Sequence, residues 1–154
     1  MRTQRASTAS FVGRGIVAGV AGTAVMTAFQ QFVEMPLTGR QPSYAPADFA
    51  ERVLPIDTST ARGRERLNWG THFALGGMWG TAYGLVASAG LRGQQAAVAV
   101  FGLVYTGDVA LNTVLGLYQP GSWTAQDWVV DVVDKLVQAE ATGVIFDRLL
   151  DPAR

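Results

Sequence analysis

Four long segments of this chain are largely apolar, and they limit its possible folds more than any other feature. The segments cover residues 11–33, 67–90, 94–118 and 123–146. A helix that crosses a bilayer needs about 20 residues at a rise of about 1.5 Å each, so every segment is long enough to span. The second and third segments are followed by the short connections "LRG" and "QPGS". We therefore expect antiparallel neighbouring helices.

The last segment is the exception, because it contains three aspartates and a lysine in "DWVVDVVDKLVQ". At about 100° per residue, Asp127, Asp131 and Asp134 fall on one narrow stripe, with Lys135 at its edge. A soluble amphipathic helix would turn such a stripe to water. If this helix crossed a membrane, Asp131, Asp134 and Lys135 would lie at mid-span. Their insertion would together cost roughly 9 kcal/mol, more than the favourable free energy from the surrounding aliphatic side chains. In a membrane, this helix would need neighbours that shield its stripe.

The other three segments each carry a polar strip on an otherwise apolar surface. These strips are Gly15, Gly19, Thr23, Thr27, Gln30 and Glu34 in the first; Asn68, His72, Gly76, Trp79 and Tyr83 in the second; and Tyr105, Asp108 and Asn112 in the third. Lipid outside and polar contacts inside explain all the strips together. We predict an all-α, four-helix transmembrane bundle that forms a single domain over residues 1–154. The soluble four-helix bundle is the alternative.

The charged stretch between the first two spans predicts a short interfacial helix in "APADFAERVL". Pro46 would lie in its first turn, with Phe49 and Val53 on one face. Thr58 or Ser59 would cap the helix that enters the second span.

Glycine ridges predict close helix packing. They are Gly15-x-x-x-Gly19 in the first span and Gly76-x-x-x-Gly80-x-x-x-Gly84 in the second. Glycine costs about 1 kcal/mol per site in an exposed soluble helix, so its density here needs a packing reason. Small residues at this spacing let two backbones approach closely. We interpret the ridges as a contact within one chain rather than a dimer motif.

The amino terminus resembles a signal peptide, since two arginines precede an apolar run. Arg14 lies inside that run and no small-x-small cleavage site is clear, which favours an uncleaved first span. With four spans, both termini lie on one side of the membrane. The amino-terminal arginines and the arginine-free connection between the third and fourth spans predict that this side is cytoplasmic.

The first two spans also carry a resemblance. The stretches "AGTAVMTAFQQFVEM" and "THFALGGMWGTAYGL" resemble small bacterial membrane proteins of the YagU-like kind, which have about four spans and a histidine before a glycine-rich helix. The resemblance implies an address in the bacterial cytoplasmic membrane and no established chemistry. Such proteins have been associated with acid tolerance.

Six side chains are candidates for proton or ion handling: His72, Asp108, Asp127, Asp131, Asp134 and Lys135. His72 is the only side chain whose ordinary pKa lies near neutrality, although a hydrogen-bonded structural histidine is the alternative. Asp108 lies mid-span and must pair, accept hydrogen bonds or stay protonated. Its candidate partners are Lys135, Arg14 and His72.

Composition excludes several kinds of site. The chain has no cysteine and one histidine, which excludes disulfides, thiol catalysis and zinc sites built on these residues. Its 12 basic and 12 acidic side chains cancel, so charge does not indicate a nucleic-acid partner. We see no nucleophile motif, phosphate loop or metalloprotease motif, and we expect no cofactor or metal.

The predicted function is that of a small polytopic membrane protein whose buried polar interior handles protons or small ions. A membrane scaffold or assembly subunit with a structural polar core is the alternative. A membrane enzyme that uses His72 with a carboxylate ranks last. The expected surroundings are the lipid bilayer, with another membrane protein or a further copy of the chain as the candidate partner.

Overall fold

The computed structural model describes residues 7–151, and every regular element in that range is a helix, as predicted. The long helices are α1 (Thr8–Phe29), α4 (Ala61–Ser88), α5 (Gly93–Val114) and α6 (Ala125–Ile145). The short ones are α2 (Met35–Thr38) and α3 (Ala45–Val53). π-helical turns continue α1 over Gln30–Glu34 and α6 over Phe146–Leu150, and a 3₁₀ turn covers Pro120–Ser122.

The four long helices form an up-and-down bundle. Helix α1 packs against α4 and α6, and α5 packs against both of the same two helices. Contacts across α1 and α6 give their relative direction, because Arg14 pairs with Asp151 while Gln30 pairs with Asp134. On α5, Gly93 contacts Asp147 near the end of α6. The antiparallel arrangement predicted from the short connections is confirmed.

Helices α1 and α4 touch along the predicted glycine ridges, which we call the glycine seam (Gly15, Gly19, Gly76, Gly80 and Gly84). A Cβ on Gly80 would lie 2.7 Å from the Gly19 amide nitrogen and closer still to the carbonyl oxygen of Gly15. Real Cβ atoms do not approach backbone so closely, so only glycine fits. The predicted contact within one chain is confirmed.

Helix α5 ends earlier than predicted. Its last residue is Val114, and Gly116 follows with a φ of 75°, a left-handed conformation that glycine adopts readily. The amide of Leu117 then donates to the carbonyl of Asn112 at 2.8 Å, closing a Schellman motif. The predicted end near Tyr118 was therefore wrong, and residues 115–124 form the connection to α6.

The predicted short helix between the first two spans is confirmed as α3. It is tied to the start of α4, because the Ala47 amide donates to the Asn68 side chain at 3.1 Å. The predicted cap of α4 was wrong, since Thr60 accepts the hydrogen bond from the Gly63 amide. The hydroxyl of Thr58 instead donates to the carboxylate of Glu51.

Two helices in the described part of the chain are long and apolar enough to cross a membrane. They are Thr8–Thr38 and Gly93–Val114, each with a mean hydropathy of 1.5. Of the four predicted spans, these two alone have a hydropathy high enough for a membrane-spanning helix in the described part of the chain. Hydropathy does not mark α6, which carries Asp131, Asp134 and Lys135, or α4, whose uncharged part is rich in glycine and polar residues.

Candidate functional site

Lys135, the only lysine of the chain, lies between two aspartates where α5 meets α6. Its Nζ donates to Asp108 Oδ2 at 3.0 Å and to Asp131 Oδ1 at 3.1 Å. The three side chains, which we call the lysine triad, are each between 18% and 20% exposed. Of the three candidate partners of Asp108, the structure selects Lys135, which also neutralises Asp131 one turn away.

Polar neighbours surround the rest of the triad, in which Asp131 Oδ2 is buried without a hydrogen-bond partner in the described part of the chain. Asn112 Nδ2 donates to Asp108 Oδ1 at 3.0 Å. The Tyr105 hydroxyl lies beside Asp131, and its ring centroid is 5.5 Å from the lysine Nζ. In the connection after α5, burial raises the pKa of the Tyr118 phenol, while nearby Lys135 acts to lower it. The triad is therefore an ion-paired group of two carboxylates and one ammonium.

Asp134 points from α6 toward α1 and has no ion-pair partner within residues 7–151. Its side chain is 8% exposed, and Oδ2 accepts from Gln30 Nε2 at 2.7 Å. Its other oxygen, Oδ1, is buried without a hydrogen-bond partner. Glu34 adds a like charge at Asp134, while Lys135 and Arg40 contribute weaker opposing fields. Asp134 thus differs from the triad aspartates, because its charge is not neutralised.

Gln138 lies one turn beyond Asp134 on the same face and is 2% exposed. Its Nε2 donates to the Gly19 carbonyl at 3.2 Å and to Thr142 Oγ1 at 3.4 Å. A backbone carbonyl only accepts, so the amide nitrogen must be the atom that faces Gly19. The side-chain oxygen Oε1 is left buried without a partner. Two unpartnered acceptors therefore occupy successive turns of α6, and we call them the acceptor pair.

His72 lies apart from the triad. Its Nε2 is 3.0 Å from Thr27 Oγ1, across the contact between α1 and α4. The ring stands edge-on to Trp69, with 5.9 Å between the centroids. No contact in the described part of the chain joins His72 to Asp108, so His72 is not the partner of that aspartate.

Asp127 also lies outside the interior. Its Oδ2 accepts from the Thr124 amide at 2.9 Å, and Thr124 Oγ1 accepts from the Asp127 amide at 3.2 Å. These reciprocal bonds form a capping box at the start of α6. The Asp127 carboxylate therefore caps the start of α6, although helical periodicity placed it on the same stripe as Asp131 and Asp134.

An ionic cluster that was not predicted from the sequence lies at the end of the bundle opposite Asp134 and the lysine triad. Arg14 and Arg92 each reach Asp151 at 2.6 Å, and Arg92 also reaches Asp147 at 3.2 Å. The Tyr83 hydroxyl donates to Asp147 at 2.6 Å. Arg14, which was a candidate partner for Asp108, is used here instead. The available signal was the spacing of the two aspartates, one turn apart at the end of α6.

The site contains carboxylate and amide oxygens and one ammonium group. Within residues 7–151, no group of three or more histidine, aspartate or glutamate side chains is arranged to hold a metal ion. No protein family model, curated protein or solved structure matches this chain. The resemblance to YagU-like proteins therefore stays a prediction, and the geometry of these side chains is the basis for the function proposed below.

Proposed function

We propose that this protein is a four-span integral membrane protein whose polar interior handles protons. The direction of the side chains on α6 carries the proposal. Asp134 and Lys135 contact residues of neighbouring helices, and Asp131 pairs with Lys135 beside Tyr105 of α5. The exposed face of the same helix presents Val129 and Val144, which are 60% and 50% exposed. A soluble helix has the opposite arrangement.

The outer faces of the other helices support the same proposal. On α5, Val98, Leu103 and Val114 are 62%, 70% and 84% exposed. Residues 15–33, 67–88 and 96–114 contain one charged side chain, Asp108, and it pairs inward with Lys135. A continuous apolar surface of this kind is rare on soluble monomers and is suited to contact with lipid.

Aromatic residues support a membrane boundary at one end of the bundle. Three of the four tryptophans, Trp69, Trp123 and Trp128, lie near the starts of α4 and α6. Because α4 and α6 run in the same direction, these rings lie toward the same end of the bundle. Tryptophan is enriched at the membrane–water interface. Helix α3 would lie at this interface, as its sequence predicted.

Extraction tests the membrane part of the proposal. We expect the protein to remain with the membrane fraction after an alkaline carbonate wash and to require detergent for release. A polypeptide that is monodisperse in buffer without any amphiphile would contradict the proposal. Alkaline phosphatase fusions after α2 and at the carboxyl terminus would test the predicted cytoplasmic termini.

Reconstitution tests the proton part. We expect proteoliposomes with an internal pH-sensitive dye to respond to an imposed pH gradient faster than empty vesicles. The variant Asp134→Asn should lose the response, because the unneutralised carboxylate is gone. Asp131→Asn is the matched control, since this residue lies on the same helix but pairs with Lys135, and it should retain the response. Equal rates in wild-type and empty vesicles would reject proton handling.

A scaffold role is favoured by one different observation: the three charges of the lysine triad pair with one another. Its ionised groups already have partners, so it can hold α5 against α6 without any transported ion. In that case vesicles with wild-type protein show no flux, and affinity purification from mild detergent recovers a stable membrane partner. A monomer with measurable flux would exclude this alternative.

A further inference from the structure

We infer that Asp134 is a neutral carboxylic acid that donates from Oδ1 to Gln138 Oε1, making the acceptor pair a binding site for one proton. This inference deepens the proposed function and rests on it for the idea that the bound proton is released and transported. The existence of the proton site itself stands on the geometry of the acceptor pair.

The unpartnered oxygens of Asp134 and Gln138 are the first reason to place a proton on Asp134. A buried acceptor without a donor is strongly disfavoured, and here two such oxygens lie on adjacent turns of one helix face. A single proton on Asp134 converts one of them into a donor for the other. The orientation of the Gln138 amide does not offer another solution, because its nitrogen is held by the Gly19 carbonyl. The proton bridges the pair directly or through one water molecule.

The charges around Asp134 also favour its neutral form. The groups that act on Asp134 are Glu34 and Arg40 from the segment after α1, and Lys135 from α6 itself. Lys135 is already shared between Asp108 and Asp131, which belong to α5 and α6. On α4, the titratable side chain turned toward α1 at this end is His72, which is bound to Thr27. A neutral Asp134 avoids placing an additional unpaired anion beside Glu34.

A sodium ion fits the site less well than a proton. A hard cation in a protein takes about six oxygen ligands, whereas the acceptor pair supplies two free oxygens. The nearby carbonyl of Gly19 and hydroxyl of Thr142 are already engaged with Gln138. A proton needs only the two oxygens that are available.

Infrared spectroscopy on the full-length protein in liposomes tests the inference. We expect a carbonyl band of a protonated carboxylic acid at neutral pH, and we expect carbon-13-labelled aspartate to shift it. The band should disappear in Asp134→Asn and persist in Asp131→Asn. The asparagine amide can donate to Gln138 and accept from Gln30, so the fold should survive the substitution. Should it not, Gln138→Leu provides a second test, because loss of the acceptor should shift the band to higher frequency.

Each outcome decides one question. A wild-type spectrum without the band, or a band unchanged in both Asp134→Asn and Gln138→Leu, overturns the proton site. A band that appears only when sodium is replaced by a large organic cation also overturns it, in favour of a sodium site. A band that behaves as expected supports the proton site even when the dye assay shows no flux. That combination rejects proton transport alone.

Discussion

Two of the helix contacts in the bundle work differently, and we call them seams. Along the glycine seam, α1 and α4 touch backbone to backbone, and a Cβ on Gly80 would already be too close to Gly19. Between α5 and α6 the contact is made by long side chains, with Lys135 reaching Asp108 across the gap. Glycines of α5 such as Gly102 have open space around them. The first seam depends on shape and the second on charge.

This difference indicates how each seam responds to change. A shape-dependent contact tolerates no added atom, but it has no preference for pH or salt. A charge-dependent contact tolerates added volume, yet the loss of one partner leaves buried charges uncompensated. Placing the polar groups along α6 also leaves Asp134 free of a cation, because the only lysine is already engaged. The charged seam therefore creates the unbalanced acid next to it.

The largest effect is expected from Lys135→Met. This change keeps the volume of the side chain but leaves Asp108 and Asp131 facing each other without a cation. Breaking a buried pair in this way costs about 3–5 kcal/mol, and we expect a value near the lower limit because the triad is partly exposed. The measurement is thermal unfolding of the detergent-solubilised protein.

A triple variant serves as the matched control for that prediction. Adding Asp108→Asn and Asp131→Asn to Lys135→Met removes all three charges, and we expect most of the lost stability to return. A single variant at the exposed Arg62, Arg62→Met, should leave the unfolding temperature unchanged. If Lys135→Met unfolds like wild type, the triad does not hold α5 to α6, and the contrast between the seams is lost.

The next largest effect is expected from Gly80→Ala in the glycine seam. The added methyl group would overlap the backbone of α1, and the helices would have to separate. Overpacking of this kind costs typically 1–3 kcal/mol, partly offset by the better helix propensity of alanine, so we expect a loss of about 2 kcal/mol. The same substitution at Gly102 should be neutral or stabilising, because a Cβ added there would have no atom of another helix within 4 Å. Equal unfolding temperatures for the two variants would contradict a shape-dependent seam.

The two seams also differ in how far the sequence could predict them. The spacing of Gly76, Gly80 and Gly84 predicts a close backbone approach directly, because no other residue type allows it. For the charged seam, helical periodicity placed Asp131 and Asp134 on the same stripe but could not assign their partners. The partner of each aspartate depends on how the neighbouring helices are rotated about their axes and shifted along them. Consequently Asp108 had several candidate partners in sequence, and the structure selects one.

The misplaced predictions share a physical cause. His72 and Arg14 were candidate partners of Asp108, and Asp127 was placed on one stripe with Asp131 and Asp134, because all three are polar residues in or beside apolar segments. In each case a local or end-of-helix partner competes more effectively: Thr27, Thr124 and Asp151, respectively. The unpartnered oxygens of Asp134 and Gln138 could not be predicted, because a missing contact is defined only when the neighbouring helix is in place.

The smallest effect concerns the start of α6, and it sharpens the comparison by asking whether the charged seam alone positions that helix. Thr124→Ala removes the hydroxyl that accepts the Asp127 amide at 3.2 Å and donates to the Asp127 carboxylate at 2.7 Å. Loss of an N-cap of this type costs about 1 kcal/mol. Thr113→Ala is the control, since that exposed hydroxyl bonds only its own helix, to the Val109 carbonyl, and should be nearly neutral. Thermal unfolding of the two variants side by side measures the difference. If Thr124→Ala costs no more than Thr113→Ala, the lysine triad already holds the first turns of α6, and the charged seam extends to the end of the helix.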